Sequence, residues 1–355
     1  MNVSEKKVHT DYETADVWPL LGYATLAVRL VQGWIYWGGA SRRLIYAPQK
    51  LDPDSAGYMG GKLLHTAPGA AFDLGRIIEW LVVHPTLLFV AIIGFTLVEL
   101  AIGLGLILGL ATRLFALVSI VVSVFLMVNF GWLGATCIDE WTMAANSFAM
   151  GAILLVAGGS VLSLDAVIAR KAPVLSESPW FIWFFSGPLP IAATRKLGLW
   201  LGIASIAFTV FFYDYYRGAV FSPLHARTSP KTHTITISDA SVDSRATVRF
   251  NGHISAGPDT GDLYIIGARI EDPAGRILVA WEGRQLKDSA LVTIDNAYPF
   301  DLARFSQYGI AANLASRALY TFRPARSYVL ADGSYTLILE SIDGRSLKAL
   351  LAFGG

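Results

Sequence analysis

The sequence predicts an α-helical membrane bundle with five transmembrane helices, followed by an all-β sandwich domain. Three observations carry that prediction. Charged residues make up 15% of the 355-residue chain against 54% apolar ones, and the mean hydropathy is +0.50; soluble domains carry about 25% charged residues. Several stretches longer than 20 residues contain one charge or none. Charge density then rises part-way along, with 28 Lys, Arg, Asp and Glu in the first 221 residues and 27 in the last 134. The two regions therefore face different solvents. A net charge of +1 offers no basic field for phosphates, so nucleic acid is not an expected partner.

Residues 1–16 are polar and lack the pattern of a cleavable signal peptide. About 20 apolar residues cross a bilayer as a helix, which places spans at about 18–39, 85–111, 114–134, 142–163 and 197–215. The lipid bilayer is thus the first expected partner. Residues 70–83 are amphipathic and should lie on the surface or against the bundle. Residues 180–193, rich in aromatics and broken by Pro188 and Pro190, should be interfacial or re-entrant. The last 134 residues alternate in strand fashion (THTITISDA, DLYIIGARIEDP, YTLILESIDG), with turns at Asp272-Pro273-Ala274-Gly275, Asp332-Gly333 and Asp343-Gly344. Many short strands separated by such turns read as a β-sandwich. Residues 1–221 are the transmembrane domain and 222–355 the β domain.

Orientation follows from positive charge. Lys6, Lys7, Arg113, Arg170, Lys171, Arg195 and Lys196 fall on one side of alternating helices, which makes that side cytoplasmic. The N-terminus is then inside the cytoplasmic (inner) membrane, and Cys137 and the C-terminal domain lie outside. The external loop 39–84 carries Arg42, Arg43, Lys50, Lys62 and Arg76 against this rule; binding an anion would give those charges a purpose.

Cys137 is the single cysteine, so no disulfide and no thiolate metal or iron–sulfur site forms within one chain. It stands near the start of the fourth span, where a helix N-terminus lowers a thiol pKa. Asp139 and Glu140 act in the opposite direction. Cys137 is either a small buried hydrophobe or a reactive thiol, and Asp139 either a helix N-cap or part of the thiol's surroundings. Arg29 and Glu99 fall near mid-bilayer, where isolated charges are costly, so the two are expected to pair. Such a pair serves as a structural clamp, or as a polar wall or proton route. The row Ala101, Gly105, Gly109 should let another helix approach closely. All six histidines lie outside the spans, which leaves haem without an axial ligand, and no metal is expected. His65 and His84, on the outer side, are either solvated or help to bind an anion. Trp34, Trp37 and Trp141 are interface anchors, or a stacking wall for an apolar ring.

The motifs Arg29-Leu30-Val31-Gln32-Gly33, Gly38-Gly39-Ala40-Ser41-Arg42, Glu99-Leu100-Ala101-Ile102-Gly103, Gly109-Leu110-Ala111-Thr112-Arg113 and Gly134-Ala135-Thr136-Cys137 resemble the DoxD/DoxX-like family. Ile294-Asp295-Asn296-Ala297-Tyr298 and the turn Gly333-Ser334-Tyr335 resemble the DoxA subunit. Together they look like a fused thiosulfate:quinone oxidoreductase, whereas the family pattern has two separate subunits. The resemblance implies a DoxX-like four-helix bundle, a fifth tethering helix and a DoxA-like outer domain. It also implies oxidation of thiosulfate to tetrathionate, with membrane quinone as the electron acceptor. On that reading Cys137 is the covalent carrier. Its thiolate adds to the quinone, thiosulfate attacks the cysteine sulfur as hydroquinone leaves, and a second thiosulfate displaces tetrathionate. Arg42, Arg43 and Arg76, with Lys50, His65 and His84, would hold the dianion. Trp34, Trp37, Trp141, Arg29 and Glu99 would surround the quinone. A second copy of the chain, as a homodimer, is a candidate partner. An accessory subunit of a terminal oxidase and an anion transporter are the rival functions.

Overall fold

The computed structural model describes residues 3–134, 140–217, 228–300 and 302–354. Its helices are α1 (Val3–Ser41), α2 (Met59–Thr66), α3 (Leu74–Val82), α4 (Pro85–Leu108), α5 (Thr112–Phe130), α6 (Glu140–Ala157), α7 (Leu164–Lys171), α8 (Pro173–Ser176), α9 (Pro179–Phe184) and α10 (Ile191–Arg217). A π-helical turn, Arg42–Tyr46, continues α1. Two compact units emerge.

The first unit is helical and holds α1, α5 to α10 and nearly all of α4. Among the described residues four of its helices, α4, α5, α6 and α10, are long and apolar enough to cross a membrane. The first expected span lies within α1, whose hydropathy is diluted by Arg29 and Gln32. That helix shows the logic of the whole unit. Thr25, Arg29, Gln32, Tyr36 and Ala40 recur once per turn and are buried, while Tyr23, Val31, Trp34 and Ile35 are exposed. A soluble amphipathic helix does the reverse. In lipid the tails solvate alkyl side chains, and polar groups must find partners inside the protein.

Glycines set the helix crossings. A Cβ at Gly103 of α4 would come within 2.5 Å of the Trp37 backbone, and one at Gly33 within 2.9 Å of Ile107. The row Ala101–Gly105–Gly109 is therefore not one docking ridge. Ala101 is exposed, Gly105 lies under the Phe115 ring of α5, and Gly109 lies beyond the end of α4 beside Arg29 and Ser163. The face of α4 turned toward α1 is the one bearing Gly103 and Glu99, four residues apart. Phe148 of α6 stacks on Phe208 of α10 at 4.5 Å between centroids. The segment expected to be interfacial becomes α9, capped by Ser178, followed by irregular chain leading into α10.

The second unit is β-rich. Its strands are β1 (Thr234–Val242), β2 (Val248–Ala256), β3 (Asp262–Glu271), β4 (Ile277–Glu282), β5 (Val292–Asn296), β6 (Arg304–Ser306), β7 (Gly309–Asn313), β8 (Arg317–Phe322), β9 (Tyr335–Ser341) and β10 (Ser346–Phe353). They follow the order β5-β8-β2-β1-β10-β9-β3-β7-β6, with β4 also on β3. Every neighbouring pair is antiparallel except β1 and β10, which meet in a short parallel seam at Ser241–Ala352 and Val242–Phe353. The seam joins two antiparallel halves into the nearly closed sandwich expected from the alternation. Phe250, Tyr320, Phe322 and Trp281 form an aromatic core, the last donating its indole N–H to the Arg323 carbonyl at 2.7 Å.

Residues 56–85 belong to this unit, together with Trp132 and Leu133. Trp132 is 1% exposed, donates to the Thr66 carbonyl at 2.9 Å and covers Gly69, where a Cβ would come within 2.3 Å of its ring. Glu79 of α3 pairs with Arg317 of β8 at 3.0 Å, and Thr228 donates to the Pro68 carbonyl. Tyr58 meets Phe300 edge to face at 5.4 Å. The amphipathic segment 70–83 thus packs with the β domain rather than the helical bundle. Its apolar face buries Ile78 and Val82 and its polar face offers Glu79.

Candidate functional site

Among the described residues of the helical unit, buried charged side chains gather most clearly in two clusters. The first is at the C-terminal end of α1. Arg43, in the turn that continues this helix, is 7% exposed and forms an ion pair with Glu99, 8% exposed. Arg43 Nε donates to Thr96 Oγ1 at 2.8 Å, and its guanidinium lies 5.7 Å from the Phe95 ring centroid. The Glu99 carboxylate faces Gly39, where a Cβ would sit 3.1 Å from Oε1. The π-helical turn makes this possible, because widening the helix carries Arg43 inward while Arg42 remains exposed.

The expected Arg29–Glu99 pair is not formed. Similar depth in two spans brought those residues together on paper, but depth does not determine lateral position. Arg29 is the hub of the second cluster, where Nη1 and Nη2 donate to the carbonyls of Gly159 (3.1 Å) and Leu162 (2.8 Å). Nearby, the fully buried Asp165 caps α5. Its carboxylate accepts from the Ala111 and Thr112 amides at 2.8 and 3.1 Å, from Thr112 Oγ1 at 2.9 Å and from Ser186 Oγ at 2.7 Å. An anion at a helix N-terminus satisfies otherwise unpaired amides and complements the helix dipole. Arg113 donates to the carbonyls of Leu155, Val156, Ile182 and Gly187 and lies 5.1 Å from the Trp18 ring centroid. Gly109 and Ala111 both take positive φ, 65° and 47°, and a Cβ at Gly109 would strike the Arg29 guanidinium at 2.2 Å. The Gly109–Arg113 motif is therefore a structural knot. Asp165 and Ser186 were missed in the sequence, and Thr112 stood there only as part of a family motif; the one available signal for Asp165 was an acidic residue two positions after a helix-capping serine.

Other expected site residues divide between the units. Cys137 and Asp139 lie outside the described residues. In the helical unit, Trp34 is 66% exposed on the outer face of α1, Trp37 is half-buried against α4, and Lys50 lies in a short 3₁₀ turn. Trp141 is half-buried, edge to face with Tyr213, and its buried indole N–H has no hydrogen-bond partner among the described residues. An unpaired donor beside aromatic rings can serve a ligand carbonyl. In the β-rich unit, Arg76 is solvent-facing, 3.9 Å from an equally exposed Asp73. His84 Nδ1 contacts the Trp80 carbonyl at 2.7 Å, and His65 is half-buried on α2. Two histidines that were not singled out, His233 and His253, are half-buried in the β-rich unit. Burial, with the positive charge of Arg317 nearby, pushes His253 down to about 4, and burial also lowers His233.

Residues 24–192 match the family model described as TQO small subunit DoxD, and residues 216–350 the one described as TQO small subunit DoxA. A solved structure titled "Structure of Iho670 Flagellar-like Filament" aligns over 45% of this chain and 98% of its own. It is 10% identical with a TM-score of 0.23, too low to indicate a shared fold.

Proposed function

Because the chain belongs to the thiosulfate:quinone oxidoreductase (TQO) families DoxD and DoxA, fused in one polypeptide, we propose that it oxidises thiosulfate to tetrathionate and passes the electrons to membrane quinone. The observation that carries this reading is the presence of both families in a single chain. Two thiosulfates lose two electrons as their outer sulfurs join; one quinone gains them with two protons and becomes hydroquinone. In the covalent version, the Cys137 thiolate and one thiosulfate are oxidised together by quinone to a sulfur–sulfur adduct. A second thiosulfate then displaces the thiolate, releasing tetrathionate.

The residues support distinct roles. Glu99 already neutralises Arg43, so Arg43 serves the quinone region rather than the free dianion. Arg42 and Lys50 in the helical unit are candidates for holding thiosulfate; Arg76, His65 and His84 in the β-rich unit are separate candidates, each set taken by itself. Arginine's planar fork suits paired oxyanion oxygens. Trp37 and the unpaired N–H of Trp141 suit a flat ring carrying a carbonyl, with Arg29 held away in the structural knot. Trp34 suits a lipid contact. The positive-inside pattern places the N-terminus in the cytoplasm and Cys137 with the β domain outside.

The test is the purified protein in detergent with thiosulfate and a soluble quinone, following hydroquinone and tetrathionate together. Wild type should form them one to one. Cys137→Ser keeps the size but removes the soft nucleophile and should abolish both. Wild-type turnover in that variant would exclude sulfur carriage at Cys137, and no turnover in wild type would remove the function itself. Labelling Cys137 by an impermeant thiol reagent from the cytoplasmic side alone would reverse the orientation.

A further inference from the structure

The buried face of α1 carries a polar column between the two clusters. Arg29, Gln32 and Tyr36 are 2%, 0% and 3% exposed, and Gly39, against the Glu99 carboxylate, lies on the next turn. At 1.5 Å per residue this run covers about 15 Å, half of a hydrocarbon core. Gln32 Nε2 donates to the Ser147 carbonyl at 3.1 Å, and the Tyr36 hydroxyl donates to the Ser119 carbonyl at 3.1 Å. Ser119 and Ser123 hydroxyls are buried beside them, donating to the Ala116 and Ser119 carbonyls at 2.7 and 2.8 Å.

Among the described residues two atoms on this face are buried without a hydrogen-bond partner, Gln32 Oε1, an acceptor, and Arg29 Nε, a donor. They stand one helical turn apart. A buried donor and a buried acceptor each carry a desolvation penalty, which a shared water would relieve by accepting from one and donating to the other. The Tyr36, Ser119 and Ser123 hydroxyls can each give and take a hydrogen bond, so with water between them they would pass a proton on, while the Gln32 amide would hold such water in line. An open groove of about 720 Å³ adjoins the Arg29 end, lined by Tyr23, Ser160, Leu162, Ser163 and Arg170, and Leu162 supplies a carbonyl to Arg29.

We propose that this column is the proton path for quinone reduction, running from the Arg170 groove past Gln32 and Tyr36 to Glu99. The proposal rests on the quinone reading above. For each quinone, two electrons come from two thiosulfates and two protons arrive through the column, giving one hydroquinone. Because Arg170 lies on the side opposite to Cys137 in the charge pattern, protons come from the cytoplasm while thiosulfate reacts outside.

The experiment places the full chain in liposomes with quinone in the bilayer and a pH-sensitive dye trapped inside. Thiosulfate, a dianion that does not cross the bilayer, is added outside, so that only molecules presenting their thiosulfate face turn over. Alkalinisation of the lumen, two protons per quinone reduced and abolished by a protonophore, is the expected result. Tyr36→Phe and Gln32→Leu keep the packing volume close to native and should slow quinone reduction by about tenfold or more. Hydroquinone formation with an unchanged lumen overturns the path and leaves the function standing, as would wild-type rates in both variants. Absence of hydroquinone in wild type overturns both together.

Discussion

Glu99→Gln tests the pairing that the tertiary structure substitutes for the expected one. The change removes a carboxylate buried against the Arg43 guanidinium and leaves Thr96 Oγ1 as that side chain's remaining close polar partner. Both partners are under a tenth exposed, so water cannot replace the lost charge. Breaking a buried pair from one side costs about 3–5 kcal/mol in soluble proteins. At roughly 2–4 °C per kcal/mol for a unit of 150–250 residues, the melting temperature should fall by about 10 °C. Arg43→Gln should cost a similar amount, whereas Arg43→Gln with Glu99→Gln buries two neutral amides and should recover part of the loss. Intrinsic fluorescence of the ten tryptophans during heating in detergent follows the transition. The effect should change little with salt, because buried pairs are weakly screened. A Glu99→Gln variant melting within about 2 °C of wild type, or double-variant losses that simply add, would refute a coupled buried pair. Arg29→Gln gives the contrast, since its coupling to Glu99→Gln should be near zero.

The remaining predictions concern the β-rich unit. Gly69→Ala drives a Cβ into the Trp132 ring and should cost about 1–3 kcal/mol, while in a Trp132→Ala background the same change should be nearly free; equal costs in both backgrounds would mean that the two do not touch. His253 has its folded pKa lowered from the ordinary 6.5 to about 4, so the unfolded chain binds its proton first. Stability is complete above about pH 6.5 and is lost as pH falls toward 4, by about 3 kcal/mol. His253→Gln should flatten that part of the stability–pH curve in thermal melts, and an unchanged slope would show that His253 is not the group responsible.

The apolar runs, the charge-density change near residue 221 and the alternation after it were enough to establish helices in lipid followed by strands in water, because those features depend only on which side chains each solvent tolerates. Element existence was legible for the same reason. The family resemblance was legible in short motifs such as Gly109-Leu110-Ala111-Thr112-Arg113, but the physical work of that motif was not. Its positive-φ turn matters because Arg29, from another helix, fills the space a Cβ would take. Partner choice inside the bundle was decided by tertiary structure alone. Sequence measures how far along a helix a charge lies and not which way it points, so Arg29 and Glu99 stood at similar depths although the π-helical turn delivers Arg43 to Glu99 and the α7 region receives Arg29. The allegiance of residues 56–85 was decided in the same way. Their amphipathic face could have covered a bundle or a sheet, and the ion pair Glu79–Arg317 with the indole of Trp132 against Gly69 and Thr66 selects the β-rich unit. These contacts join residues tens to hundreds of positions apart, and only the folded chain brings them within bonding distance.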